Sequence, residues 1–178
     1  MADKTFWPDS DPLLRAYYDH EWGFAEHDDP KLFELLTLEG MQAGLSWLTV
    51  LRKHEAFVTA FHHFDIAAVA KMSPADIDNL MVNPELIRSR TKLQSVITNA
   101  QAIQKIQAEF GSFDEFLWQF VDHVPIVNHP QATTDIPAQT TLSQTVAKAL
   151  KKRGFKFVGP VITYSFLQAA GLVNDRFD

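Results

Sequence analysis

One carboxylate on an apolar helical stripe is the most informative chemical feature of this sequence. Glu39 falls seven residues after Leu32, four after Leu35 and three after Leu36, so it shares their helical face. A carboxylate in that position is costly unless hydrogen-bond donors, a cation or a chemical task holds it there. The structural alternative is a Glu that ends its helix at the boundary and reaches water, since Gly40 and Gly44 leave the local helix open to question. A buried Glu39 would have a raised pKa unless a cationic ligand or donors stabilise its charged form. Aromatic residues flank it. Tyr17, Tyr18 and Trp22 precede it, and Trp47 closes the run Gln42-Ala43-Gly44-Leu45-Ser46-Trp47. Most of the 14 Phe read as core, but Trp22 sits in the polar stretch His20-Glu21-Trp22-Gly23, a setting for a pocket wall or a lid.

Other chemistries find little support. The seven histidines include no HExxH or HxxxH spacing, and each reads as a surface or hydrogen-bonded side chain. No P-loop, dinucleotide-binding glycine run, nucleophile elbow or zinc-deaminase signature is present. The absence of cysteine excludes a disulfide scaffold, a thiolate metal site and a cysteine nucleophile, and it is compatible with a reducing compartment.

The elements that must position these residues are helical. The spacing predicts helices from about Pro30 to Gly44, from Trp47 to Phe61, and along a long amphipathic stretch through Leu93, Val96, Ile97, Ala100, Ile103 and Ile106. Ser73-Pro74-Ala75-Asp76 and Ser112-Phe113-Asp114-Glu115 are helix starts, the latter opening a helix through Trp118. A helix from Thr141 or Ser143 to Arg153 and one from Gly159 to Ala170 complete the set. Segment 122–140 holds three prolines and reads as a loop or a connection between lobes. No alternating strand is evident, so the expected class is all-α, in one domain of 178 residues.

The polar, acidic N-terminal stretch does not read as a signal peptide, and no apolar run reaches the ~18 residues of a membrane helix. The formal charge of −6 argues against a nucleic-acid partner when taken whole. It is unevenly spread. Residues 1–84 carry 6 Lys+Arg against 14 Asp+Glu, and residues 85–178 carry 10 against 8. Arg88, Arg90 and Lys92 form one basic group, and Lys148, Lys151, Lys152, Arg153 and Lys156 form another. A phosphate backbone responds to such local potential, although the second group would equally complement the C-terminal end of a helix dipole before Gly154.

Four blocks resemble the DNA-3-methyladenine glycosylase I family of helix-hairpin-helix glycosylases. They are Asp11-Pro12-Leu13 leading to Tyr17 and Glu21-Trp22-Gly23, then Leu38-Glu39-Gly40 with Gln42 to Trp47, then Lys151 to Gly159, and lastly Gly171-Leu172-Val173-Asn174-Asp175. Phe116-Leu117-Trp118 and Ile136-Pro137 also fit, and the match runs the length of the chain. The resemblance implies a helix-hairpin-helix lobe, at about residues 45–125, packed on a second lobe formed by both termini. It also implies a monofunctional, cytoplasmic and monomeric repair enzyme that hydrolyses the N-glycosidic bond of 3-methyladenine in alkylated duplex DNA and releases the free base. No lysine stands at a recognised Schiff-base position, so no lyase step is expected.

Carried over by position, Glu39 would hydrogen-bond the extruded base, and Tyr17, Trp22 and Trp47 would form its aromatic pocket. Gly44 and Leu45 would lie at the lesion, and local charge, not the resemblance, puts Arg88, Arg90, Lys92, Lys151, Lys152 and Arg153 on the DNA side. The residue types suit that task. An N3-alkylated adenine is cationic, so ring faces contribute roughly 0.5–2 kcal/mol each when desolvated, and one carboxylate can serve where ordinary glycosidases use two. Two departures stand out. The family's zinc-binding Cys and His are replaced by Thr5 and Tyr18, and the chain stops at Asp178 before the C-terminal ligands. No zinc is therefore expected, with Phe6 and Phe177 closing the terminal lobe. In the hairpin, Glu85 and Thr91 replace the usual glycines, which favour close approach to a phosphate. That change motivates an alternative, a non-catalytic sensor of alkylated DNA.

Overall fold

The computed structural model of the chain describes residues 6–177. Ten α-helices are present among them: α1 (Pro12–His20), α2 (Asp29–Met41), α3 (Trp47–Arg52), α4 (His54–Ala60), α5 (Ile66–Ala70), α6 (Pro74–Met81), α7 (Arg90–Phe110), α8 (Phe113–Trp118), α9 (Thr141–Lys152) and α10 (Pro160–Ala169). None of them is long and apolar enough to cross a membrane. The class is all-α, as expected.

Helix α2 is the axis of the fold. Asp28 caps it by accepting from the Lys31 amide, with Pro30 in the first turn. Every residue from Leu32 to Glu39 is buried, because α3, α7, α8 and α10 surround the helix. The expected apolar stripe is in fact apolar cover on all sides, so Glu39 is buried by where its helix lies. The helix stops at Met41, short of the expected Gly44, and Gly40 continues it. At Gly40 an added Cβ would meet the Phe157 Cβ at 3.4 Å, an ordinary contact, so the packing there does not require glycine.

Asp29 ties α2 to the other side of the core. Its carboxylate accepts from the Phe113 amide at 3.0 Å, the Asp114 amide at 2.8 Å and Gln107 Nε2 at 2.9 Å, supplying partners for the open N-terminus of α8. The single helix expected over Trp47–Phe61 divides at Lys53, where φ −97° and ψ 2° depart from helical values. The hairpin between α6 and α7 contains no residue with positive φ. Glu85 therefore sits there without strain, and glycine is not required by this backbone.

Segment 122–140, expected as a loop, holds a two-residue strand β1 (Ile126–Val127) that pairs in parallel with β2 (Val173–Asn174). The pairing was invisible in the sequence because two residues cannot show an alternation. Asp175, 2 % exposed, fastens this region by accepting from Asn128 Nδ2 at 2.7 Å, Gln168 Nε2 at 2.8 Å and the Tyr164 hydroxyl. Gly171 (φ +75°) lets the chain turn against the segment after Trp22, where a Cβ would meet Phe24 and Ala25 backbone atoms at 2.5 Å.

The ends of the described chain meet through rings. Phe6 packs on Phe177 at 5.1 Å and on Tyr18 at 5.3 Å between centroids. The Tyr18 hydroxyl donates to the Phe177 carbonyl at 2.6 Å, and the Arg176 guanidinium lies 4.1 Å from the Tyr18 ring centroid. Arg176 also donates to the Tyr18 and Trp22 carbonyls. Thr5 and Asp178, which belong to the zinc argument, lie outside the described residues.

Candidate active site

A cavity of about 550 Å³ opens where α1, α2, α3 and α10 approach one another. Trp7, Tyr18, Trp22 and Trp47 supply aromatic wall, and Glu39 supplies a carboxyl group. Glu39 is 5 % exposed, and burial raises its pKa to about 8. No hydrogen bond to its carboxyl group exists among the described residues, and no cation offsets the desolvation. Of the ways to hold such a group, donors and a resident cation are both missing. Its acceptor capacity is turned toward the cavity.

The rings form a connected series. Trp47 lies 5.4 Å from Tyr17, Tyr17 lies 6.3 Å from Trp7, and Trp7 lies 5.6 Å from Trp22 in an edge-to-face pair. Trp22 stacks on Tyr18 at 5.3 Å with planes 21° apart. Such mutual support keeps ring faces in place before any ligand arrives. Trp22 and Trp47 stand on the cavity wall as expected. Tyr17 does not: it packs behind Trp7 and Trp47, and its hydroxyl is buried with no partner. Burial, then the nearby Glu39 charge, push the Tyr17 phenol well above its ordinary pKa.

Sequence reasoning missed Trp7 and Tyr18 as wall residues, and also Gln42, Ser46, Ser165 and Gln168. Trp7 carried a usable signal, since Phe6-Trp7-Pro8-Asp9-Ser10 is as polar and irregular as the segment around Trp22. Ser165 and Gln168 carried none, because they reach the cavity from the last helix.

The turn between α2 and α3 is exposed. Gly44 has φ +78° with nothing within 4 Å of where a Cβ would stand, and Leu45 is 38 % exposed. Ser46 then caps α3 by accepting from the Thr49 amide. Of the cations assigned to DNA, Arg88, Lys151 and Lys152 are exposed. Arg90 is exposed and pairs with Asp78 at 2.5 Å. Arg153 is engaged elsewhere, pairing with Glu109 at 2.7 Å and lying over the Phe110 and Phe116 rings at 4.9 and 5.1 Å. Lys92 is engaged as well, donating from Nζ to the Met41 carbonyl at 2.9 Å and the Ala43 carbonyl at 2.6 Å.

The zinc site implied by the resemblance finds no donor to spare at Tyr18. Where a His ligand is expected, the Tyr18 phenol is bonded to the Phe177 backbone in both directions. Among the described residues no cluster of three His, Asp or Glu is placed to hold a metal.

Comparison with known proteins places this geometry. The family described as methyladenine glycosylase matches residues 7–178. DNA-3-methyladenine glycosylase 1 of Escherichia coli K12 is 49 % identical over 174 residues, covering 98 % of this chain and 93 % of that protein. The DNA-3-methyladenine glycosylase of Haemophilus influenzae Rd is 44 % identical over 178 residues, covering 100 % and 96 %. The fold matches a crystal structure of a Tyr-to-Phe variant of 3-methyladenine DNA glycosylase I in complex with 3-methyladenine. That match has TM-score 0.95 and 39 % identity, covering 98 % of this chain and 94 % of the other.

Proposed function

The chain belongs to the methyladenine glycosylase family, and from that premise we propose how its own residues release 3-methyladenine from alkylated duplex DNA. The observation that carries the reading is Glu39, an unpaired buried carboxyl group in a cavity walled by Trp7, Trp22 and Trp47. Rings present negative faces and the carboxylate presents charge, so the site favours a flat cation. An N3-alkylated adenine is such a cation. It must leave the helical stack to enter, and damage lowers the cost of doing so.

Glu39 hydrogen-bonds the donor edge of the extruded base, and the positive charge draws it into its ionised form. Trp22 and Trp47 hold the purine plane, and Tyr17 braces Trp47 from behind. The bond between N9 and C1′ breaks with its electron pair passing to the purine, which leaves neutral. Water supplies the new oxygen at C1′ and passes its proton to bulk solvent. Because the leaving group neutralises itself, no second carboxylate is needed. Gly44 and Leu45 fill the gap in the duplex, while Arg88, Lys151 and Lys152 face the backbone.

The family membership and the names of the relatives favour excision over the sensor reading. The division into two packed lobes, the middle one at about 45–125, is supported by the ring contacts that join the two ends. The same contacts support a lobe closed without zinc. We read the chain as a monomer, and a cytoplasmic setting fits the cysteine-free sequence and the DNA substrate.

Release of free base from methylated duplex DNA tests the reading, with Trp47→Ala as comparison. Wild type should release 3-methyladenine and the variant far less. Binding without release in wild type would favour the sensor.

A further inference from the structure

Lys92 joins the hairpin to the turn that carries Gly44 and Leu45. It lies in the first turn of α7, and its side chain runs to the C-terminal end of α2. Its Nζ donates to the Met41 and Ala43 carbonyls, at the end of α2 where helical donors run out. The Leu45 amide, four residues after Met41, turns to the Gln42 carbonyl at 2.7 Å instead. No carboxylate pairs with Lys92 among the described residues, whereas Arg90 and Arg153 both have acids. Its charge is met by carbonyl dipoles and by the negative end of the α2 macrodipole.

We propose that Lys92 is a positioning residue for base excision and not a phosphate contact: it clamps the 42–46 turn to the hairpin. The element that grips DNA and the element that enters the lesion then move as one body. The same clamp sets Trp47, which begins α3 directly after the turn. The inference rests on the glycosylase reading and on Gly44 and Leu45 lying at the lesion. It replaces the assignment of Lys92 to DNA made from charge alone. Two of the three ammonium hydrogens are already committed, and a point donor between two carbonyls is a task that guanidinium does poorly.

The test compares Lys92→Met and Lys92→Arg with wild type in the full chain. Three readouts are taken: single-turnover excision from methylated duplex, the salt dependence of binding to undamaged duplex, and hydrogen exchange at residues 42–47 without DNA. Lys92→Met should slow excision about 10- to 100-fold, the effect of a small misplacement of reacting groups. It should also speed exchange at the Leu45 amide and leave the salt slope unchanged. Lys92→Arg should fall between the two. A salt slope lower by about one in Lys92→Met, with unchanged exchange, would assign Lys92 to a phosphate and overturn the proposal. Wild-type rate and exchange in Lys92→Met would also overturn it. If the Met variant does not fold, Lys92→Arg decides: a reduced rate with faster exchange and an unchanged slope supports positioning, and wild-type values for all three contradict it. Exchange and slope need no chemistry, so a protein that released no base would fail the glycosylase reading and still leave the clamp decided.

Discussion

Tyr17 and Glu39 are both buried, at 4 and 5 % exposure, yet no hydrogen bond joins the phenol to the carboxyl group. Leaving a buried polar group unpaired costs about 1–3 kcal/mol. Tyr17 carries that cost near the cavity, and Glu39 carries the desolvation cost of a carboxyl group with no donor beside it.

Tyr17→Phe should therefore stabilise the free protein by about 1 kcal/mol, because the unpaired hydroxyl disappears and the ring packing on Trp47 survives. Urea unfolding of both proteins at one pH checks it. A loss of stability would mean that the hydroxyl has a partner.

Glu39 makes stability fall with pH. Its folded pKa, about 8, lies above the ordinary 4.5. Between those values the folded state keeps a proton that the unfolded state has released, so raising pH favours unfolding. Glu39→Gln removes that dependence. Its advantage over wild type should be small at pH 4.5 and grow to about 1–3 kcal/mol by pH 8. Denaturant titrations across this range test the sign, and a difference independent of pH would contradict it.

The pair of His54 and Glu34 instead stabilises within a pH window that has a limit on each side. The His54 ring lies 2.5 Å from the Glu34 carboxylate, which also pairs with Lys31 at 3.0 Å. Burial pushes Glu34 up, but the His54 hydrogen bond and the Lys31 charge outweigh it and leave the pKa lowered. The Glu34 hydrogen bond raises His54. Stability from His54 is complete below its ordinary 6.5 and is lost as pH rises through the higher folded value. Stability from Glu34 is complete above 4.5 and is lost as pH falls through the lower one. His54→Gln should thus cost most between pH 4.5 and 6.5, about 1–2 kcal/mol for a partly exposed pair. A cost that grows above pH 8 would refute this.

Closure of the termini through Phe6, Tyr18 and Phe177 predicts a protein insensitive to chelation. EDTA should leave both Tm and excision unchanged, and elemental analysis of purified protein should find zinc far below one equivalent. A stoichiometric metal would show that the rings are not what closes the lobe. Phe177→Ala should lower Tm, as expected for loss of a packed aromatic contact worth about 3–5 kcal/mol when fully buried and less at this half-buried position.

Much of this fold was legible because helix signals are local. Ser73, Ser112, Pro160 and Gly171 end or begin helices where their chemistry dictates. Glu39, Trp22 and Trp47 were legible for a different reason, as residues that break the pattern around them. The β1–β2 pairing and the reach of Gln168 and Ser165 into the cavity were not legible, since they join residues more than 40 or 100 positions apart in contacts with no local trace. Net charge misled in two ways. The total hid local basic groups, and those groups in turn hid Arg153 and Lys92, whose partners come from elsewhere in the fold.

In the proposed mechanism one buried carboxylate among aromatic rings suffices to excise a cationic base. Its most direct test is single-turnover release of 3-methyladenine from methylated duplex by wild type and by Glu39→Gln, which keeps the shape of the side chain and removes its charge. The variant should release base at least ~10-fold more slowly, as expected for loss of a charge-assisted hydrogen bond of roughly 1.5–3 kcal/mol, while binding undamaged duplex with wild-type affinity. Equal release by both proteins would contradict the account.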